Sequence, residues 1–137
     1  MSQENVELVR QLIALRELAR DSGLTSPPVD LVAPDIEIDL SRRVLNPATN
    51  GGFDGWLRLN HELREVWAEW QVTPERIIAV GDRVVSIETV CGRGRGSGVE
   101  TEGRYASIWT LVSGRVTRVE IGFDPDEALK AVGLEDG

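Results

Sequence analysis

The sequence predicts an α+β domain in which helices pack on one face of a largely antiparallel sheet. Two observations carry this reading. Apolar residues recur at helical spacing over residues 2–20 and again over 54–70. From residue 71 to 123 the pattern changes to strands broken by the turn dipeptides Gly81-Asp82 and Ser113-Gly114. Helices gathered at one end of a chain, with consecutive strands at the other, favour helices on a single sheet face.

The first helix carries Val6, Val9 and Ile13 along one line and Leu8, Leu12, Leu15 and Leu18 along the next, with Ser2 as its candidate N-cap. That wide apolar arc wedges it between other elements. Asp21-Ser22-Gly23 ends it and Pro27-Pro28 prevents its resumption. A short helical turn is expected over Val29–Val32. Asp35–Leu40 then alternates strictly, with Ile36, Ile38 and Leu40 inward, so it reads as a half-buried strand. Residues 41–55 form a long loop rich in Asn, Gly and Pro. A second helix runs from about Asp54 to Trp70, with Trp56, Leu59, Leu63, Val66, Trp67 and Trp70 on its apolar stripe and Asn60 among them.

Strands follow at about Gln71–Val80 and Arg83–Cys91. In the second, Val85, Ile87, Thr89 and Cys91 share one face, and Ser86 and Glu88 the other. The run Gly92–Gly98 connects it to the long hairpin of residues 103–124. It matches neither a dinucleotide fingerprint nor a P-loop, and strands flank it, so it reads as a glycine-rich connection. At the hairpin tip a two-residue loop would set Trp109 opposite Arg118. A three-residue loop, Val112-Ser113-Gly114, sets Tyr105, Ser107, Trp109 and Leu111 on one face with Val119, Ile121 and Phe123. The latter separates bulky from polar residues better and is the one predicted. Asp124, Pro125 and Glu127 then form a capping-box pattern that opens a last helix ending near Gly133.

At 137 residues the chain is one domain, 1–137, without internal repeats. A net charge of −8 argues against nucleic acid or an anionic membrane as partner. The polar N-terminus lacks signal-peptide character and no apolar run reaches membrane-spanning length. The single cysteine, Cys91, rules out an internal disulfide, so a cytoplasmic location is expected, with the thiol buried and inert. One His and one Cys make no metal site. His61 reads as a solvated surface residue.

The opening SQENVELVR, the segment VAPDIEIDLS, GGFDG ahead of a helix, VGDRVVSIETVCGRGRGSGVE and the ending WTLVSGRVTRVEIGFDPDEALKAVGL resemble the SnoaL-like family of the nuclear transport factor 2-like superfamily, over nearly the whole chain. The resemblance implies a cone-shaped, curved, mixed or antiparallel sheet (a cystatin-like arrangement) wrapped around N-terminal helices, with a deep apolar pocket. It also implies a homodimer through the outer sheet face and no cofactor. Superfamily members include polyketide cyclases, ketosteroid isomerases, epoxide hydrolases and dehydratases, and others only bind ligands or proteins. Function must therefore be argued from the site.

A pocket of this kind would hold a small hydrophobic, possibly cyclic molecule. Ile13, Ile38, Trp56 and Asn60 would line it from the helices and first strand. Thr89, Tyr105, Ser107, Trp109, Ile121 and Phe123 would line it from the meander. The same residues also describe a filled core. Asn60 either binds a ligand or ties its helix to a neighbour, since an unpaired buried amide costs roughly 1–3 kcal/mol. Tyr105 and Ser107 either polarise a ligand oxygen or bond to backbone. The resemblance places the catalytic groups of the characterised relatives, a helix-one tyrosine and three acids, on Ile13, Leu40, Ser107 and Ile121 here, none of which titrates in the useful range. Asp39 has outward parity, and Glu88 and Glu120 are placed on the outer face with Arg118. Arg42 and Arg43 could meet an anionic substrate from the loop. A ligand-binding protein without a family catalytic acid is thus set beside a cofactor-independent isomerase, cyclase or hydratase, and beside a protein-interaction module.

Overall fold

The computed structural model describes residues 2–22, 30–40, 49–94 and 96–134, without the side chains of residues 2, 16–22, 49–50, 60, 63–64 and 66–70. The elements are α1 (Ser2–Ser22), β1 (Val32–Asp39), β2 (Thr49–Gly51), α2 (Gly52–Val66), β3 (Trp67–Val80), β4 (Arg83–Gly94), β5 (Glu100–Val112), β6 (Arg115–Phe123) and α3 (Pro125–Ala131). They build an α+β domain around one mixed sheet of order β2-β1-β6-β5-β4-β3. Strands β3 to β6 form the antiparallel meander, and β1 joins β6 in parallel.

Several boundaries differ from expectation. Strand β3 begins at Trp67, so the second helix stops at Val66 and does not reach Trp70. The aromatic Trp67 and Trp70 lead directly into the β-rich run from Gln71, and the strand extends back through them to pair with β4. Asp30 and Leu31 form a turn and Val32 is already strand, so the short helix at 29–32 is absent at its described end. Within the long loop, Thr49–Gly51 pairs with β1 as an edge strand. Residues 41–48, with Arg42 and Arg43, lie outside the described residues.

The largest correction is at the hairpin tip. Val112 pairs with Arg115, so the turn has two residues, Ser113 and Gly114, both at positive φ (52° and 79°). That is the tight turn whose twist suits a hairpin. Trp109 nevertheless shares the inner face with Val119, as expected, and pairs with it directly because β6 carries an extra residue at Thr117. The bulge shifts the phase by one and turns Arg118 outward and Val119 inward. A second bulge at Gly122, with φ of 101°, shifts it back. Phe123 consequently faces away from Ile121.

The two faces have separate cores. On the inner face Val9, Leu12 and Ile13 of α1 and Trp56 and Leu59 of α2 pack with Ile36, Ile38, Val84, Trp109 and Val119. On the outer face α3 lays Ala128 and Leu129 over Val85, Ile87, Ala106, Ile108 and Phe123. Asp124 caps α3, its carboxylate accepting from the Asp126 N–H at 3.2 Å, with Pro125 at the first helical position. The outer face beside α3 is polar. Arg118 pairs there with Glu37, with Asp39 at 3.1 Å and with Glu120 at 3.6 Å, so Asp39 is held on the outer side.

Gly122 occupies a conformation that L side chains rarely adopt. Gly122→Ala is expected to lower unfolding free energy by roughly 1–3 kcal/mol in urea denaturation. An unchanged midpoint would show that the phase of β6 does not depend on a glycine at this bulge.

Candidate functional site

Strand β4 decides what the inner face offers. Val84 belongs to the inner core and Val85 to the outer one. Alternation then puts Ser86, Glu88 and Val90 inside, and Ile87 and Thr89 outside. This reverses the expected phase of β4. The apolar Val85 and Ile87 are used by α3, a demand that strand alternation alone does not reveal. Glu88, expected on the outer face, is fully buried on the inner one.

Among the described residues, the buried polar or charged side chains are Ser86, Glu88 and Ser107, each at 0% exposure. All three sit together. Ser86 is the cross-strand partner of Ser107, Glu88 that of Tyr105, and Val84 that of Trp109. The buried Trp109 indole donates from Nε1 to Ser86 Oγ at 2.9 Å, which supplies the acceptor that a buried indole N–H requires. Ser107 Oγ is buried with no hydrogen-bond partner among the described residues. Glu88 and Tyr105 take part in interactions of their own.

Around this polar cluster the inner wall is apolar. Ile121 stands opposite Ser107 and packs against the inner core, as do Ile38 of β1, Ile13 of α1 and Trp56 of α2. Tyr105 is half-buried beside them. Thr89 and Phe123 leave the expected set. Thr89 donates outward to Glu75 at 2.6 Å, and Phe123 packs under α3. Asn60 falls in α2, its side chain outside the described residues. His61 is exposed and contacts Glu65 at 2.7 Å. Among the described residues no group of three or more His, Cys, Asp or Glu could hold a metal ion, and no helix is long and apolar enough to cross a membrane.

The outer face carries its own charged contacts. The Thr89 hydroxyl, followed by the Arg104 guanidinium at 3.0 Å, holds the Glu75 carboxyl below the usual carboxylate range. Cys91 is exposed, not buried as expected, because it projects from the far end of β4 beyond α3. Its thiol donates to Glu102 at 3.3 Å, and this bond, with the carboxylate's charge, pushes the thiol pKa up. Only the thiolate is a strong nucleophile. Glu102→Gln should therefore speed alkylation of Cys91 by iodoacetamide at pH 8, with the gain shrinking above the thiol's own pKa. An unchanged rate would mean that Glu102 does not govern the thiol.

The SnoaL-like domain family profile matches residues 22–119. Among curated proteins none matches the chain. An NTF2-like protein of unknown function from Burkholderia pseudomallei K96243 is similar at 22% identity, over 97% of this chain and 99% of that one, with a TM-score of 0.70. A protein from Jannaschia sp. CCS1, whose name proposes a SnoaL-like polyketide cyclase, is similar at 20% identity over 99% and 96%, with a TM-score of 0.72. TerC, co-crystallised with polyporic acid, is similar at 22% identity over 94% and 98%, with a TM-score of 0.68. At these identities the solved structures establish the fold alone, an NTF2-like one. By its sequence match over most of its length, this chain belongs to the SnoaL-like domain family.

Proposed function

We propose that the protein binds a small hydrophobic molecule on the inner side of its sheet, between β4–β6 and the helices α1 and α2. The observation that carries this reading is the gathering of Ser86, Glu88 and Ser107, all fully buried, within an otherwise apolar wall. A core that is only a core excludes such groups, since each is costly to remove from water. A ligand site needs a few of them at one place in an apolar surround. Trp56, Trp109 and Tyr105 supply flat faces suited to a ring compound. The co-crystallisation of TerC with polyporic acid is in keeping with a small-molecule ligand on this fold.

Glu88 favours a second reading, that of a cofactor-independent isomerase, cyclase or hydratase. The positions that hold catalytic groups in characterised relatives are apolar or serine here, and Glu88 would provide a titratable group from β4 instead. On this reading Glu88→Gln abolishes turnover of a bound substrate and leaves binding nearly intact. The expected homodimer would use the polar part of the outer face around Arg118, because α3 covers its apolar part.

Native mass spectrometry of gently purified protein tests the first reading, with Ile121→Trp as the blocked control. Wild type should carry or take up a hydrophobic ring compound in saturable fashion, and the folded variant should bind it at least about tenfold more weakly, as expected when overpacking fills a site. Equal uptake by both would place binding elsewhere.

A further inference from the structure

Ser107 is the buried group that the fold itself leaves unused. It is fully buried and its Oγ has no hydrogen-bond partner among the described residues. Its cross-strand neighbour Ser86 already serves Trp109, and its other neighbour, Ile121, is apolar. Alanine at position 107 would avoid burying an unmatched hydroxyl, so folding alone gives no reason for serine.

Glu88 is the diagonal neighbour of Ser107, because its own partner Tyr105 lies two residues before Ser107 on β5. Diagonal neighbours on paired strands lie roughly 7–8 Å apart. One oxygen with a hydrogen bond on each side spans about 5.5 Å, and the two methylenes of glutamate can close the remainder. The chemistry of that oxygen follows from its two neighbours. A serine hydroxyl can donate to it and a carboxyl oxygen can accept from it. A carbonyl or an ether would satisfy Ser107 alone, whereas a hydroxyl satisfies both.

We infer that the inner-face ligand is a hydrophobic ring compound bearing a hydroxyl group, whose oxygen is held between Ser107 Oγ and the Glu88 carboxyl. This inference rests on the reading of the inner face as a binding site and adds the chemical class that the site selects. Ser107 and Glu88 are its specificity-determining residues, and no bond is made or broken in the selection.

Three probes with one ring system test it: naphthalene, 2-methoxynaphthalene and 2-naphthol. Binding is followed by calorimetry and by the Trp109 indole N–H resonance, for wild type, Ser107→Ala and Glu88→Gln. Wild type should bind 2-naphthol at least about tenfold more tightly than the other two, since a site built around a hydroxyl rejects analogues lacking one. Ser107→Ala should bind all three within about threefold of one another and melt no lower than wild type, because the hydroxyl removed is not used by the fold. Glu88→Gln should narrow the preference in the same direction. Equal wild-type binding of 2-naphthol and naphthalene would overturn the hydroxyl assignment and leave the site in place. A Ser107→Ala protein that melts several degrees lower would assign the hydroxyl to the fold and overturn it too. Failure of every probe to shift the Trp109 resonance would overturn the inner-face site itself.

Discussion

The hydrogen bond from Trp109 Nε1 to Ser86 Oγ is the contact on which the site depends. An indole buried at the centre of the sheet must place its N–H on an acceptor, and the bond reaches across one strand pair to find it. Once Ser86 is on the Trp109 side, period-two alternation leaves β4 no freedom. Val84 and Glu88 must be inside, and Val85 and Ile87 outside. The outer pair is then available to Ala128 and Leu129 of α3, and the inner carboxyl is shut in with Ser107. Two separate cores and one polar cluster follow from a single phase.

Strand β6 shows how the same phase is kept on the neighbouring strand. Its tight turn at Ser113-Gly114 would by itself put Trp109 opposite Arg118, a charge facing the apolar core. The extra residue at Thr117 prevents this, and Arg118 instead joins Glu37, Asp39 and Glu120 on the outer side. Gly122 then reverses the phase once more, so that Phe123 meets α3. Bulges of this kind re-aim side chains without altering the order of strands.

The sequence made the architecture legible because its signals are local. Helical spacing in α1, alternation through Ile36 and Ile38, and the capping pattern at Asp124 each fix an element from a few neighbouring residues. The shared face of Trp109 and Val119 was also legible, although through a turn one residue longer than the real one, whose register would have paired Trp109 with Thr117. Bulges escape such reading because they are single-residue departures whose cause lies on the partner strand. The phase of β4 escaped for a different reason. Both of its faces are buried, so hydrophobicity alone favours Val85 and Ile87 as the inner set. Leu129 and Ala128 on α3 were the available clue, since a terminal helix with apolar residues must cover an apolar strip somewhere. With that phase reversed, Thr89 and Phe123 leave the candidate site and Glu88 enters it.

The side-chain contacts of Glu88 test this account most directly. Nuclear Overhauser spectra of the labelled protein would read them from its γ-methylene protons. Cross-peaks are expected from these protons to the Tyr105 ring, its cross-strand partner, together with contacts between the Val84 methyls and the Trp109 indole. Cross-peaks from Glu88 to the methyl groups of Ala128 or Leu129 would place the carboxyl under α3. That result would contradict the phase of β4, and the proposed site would fall with it.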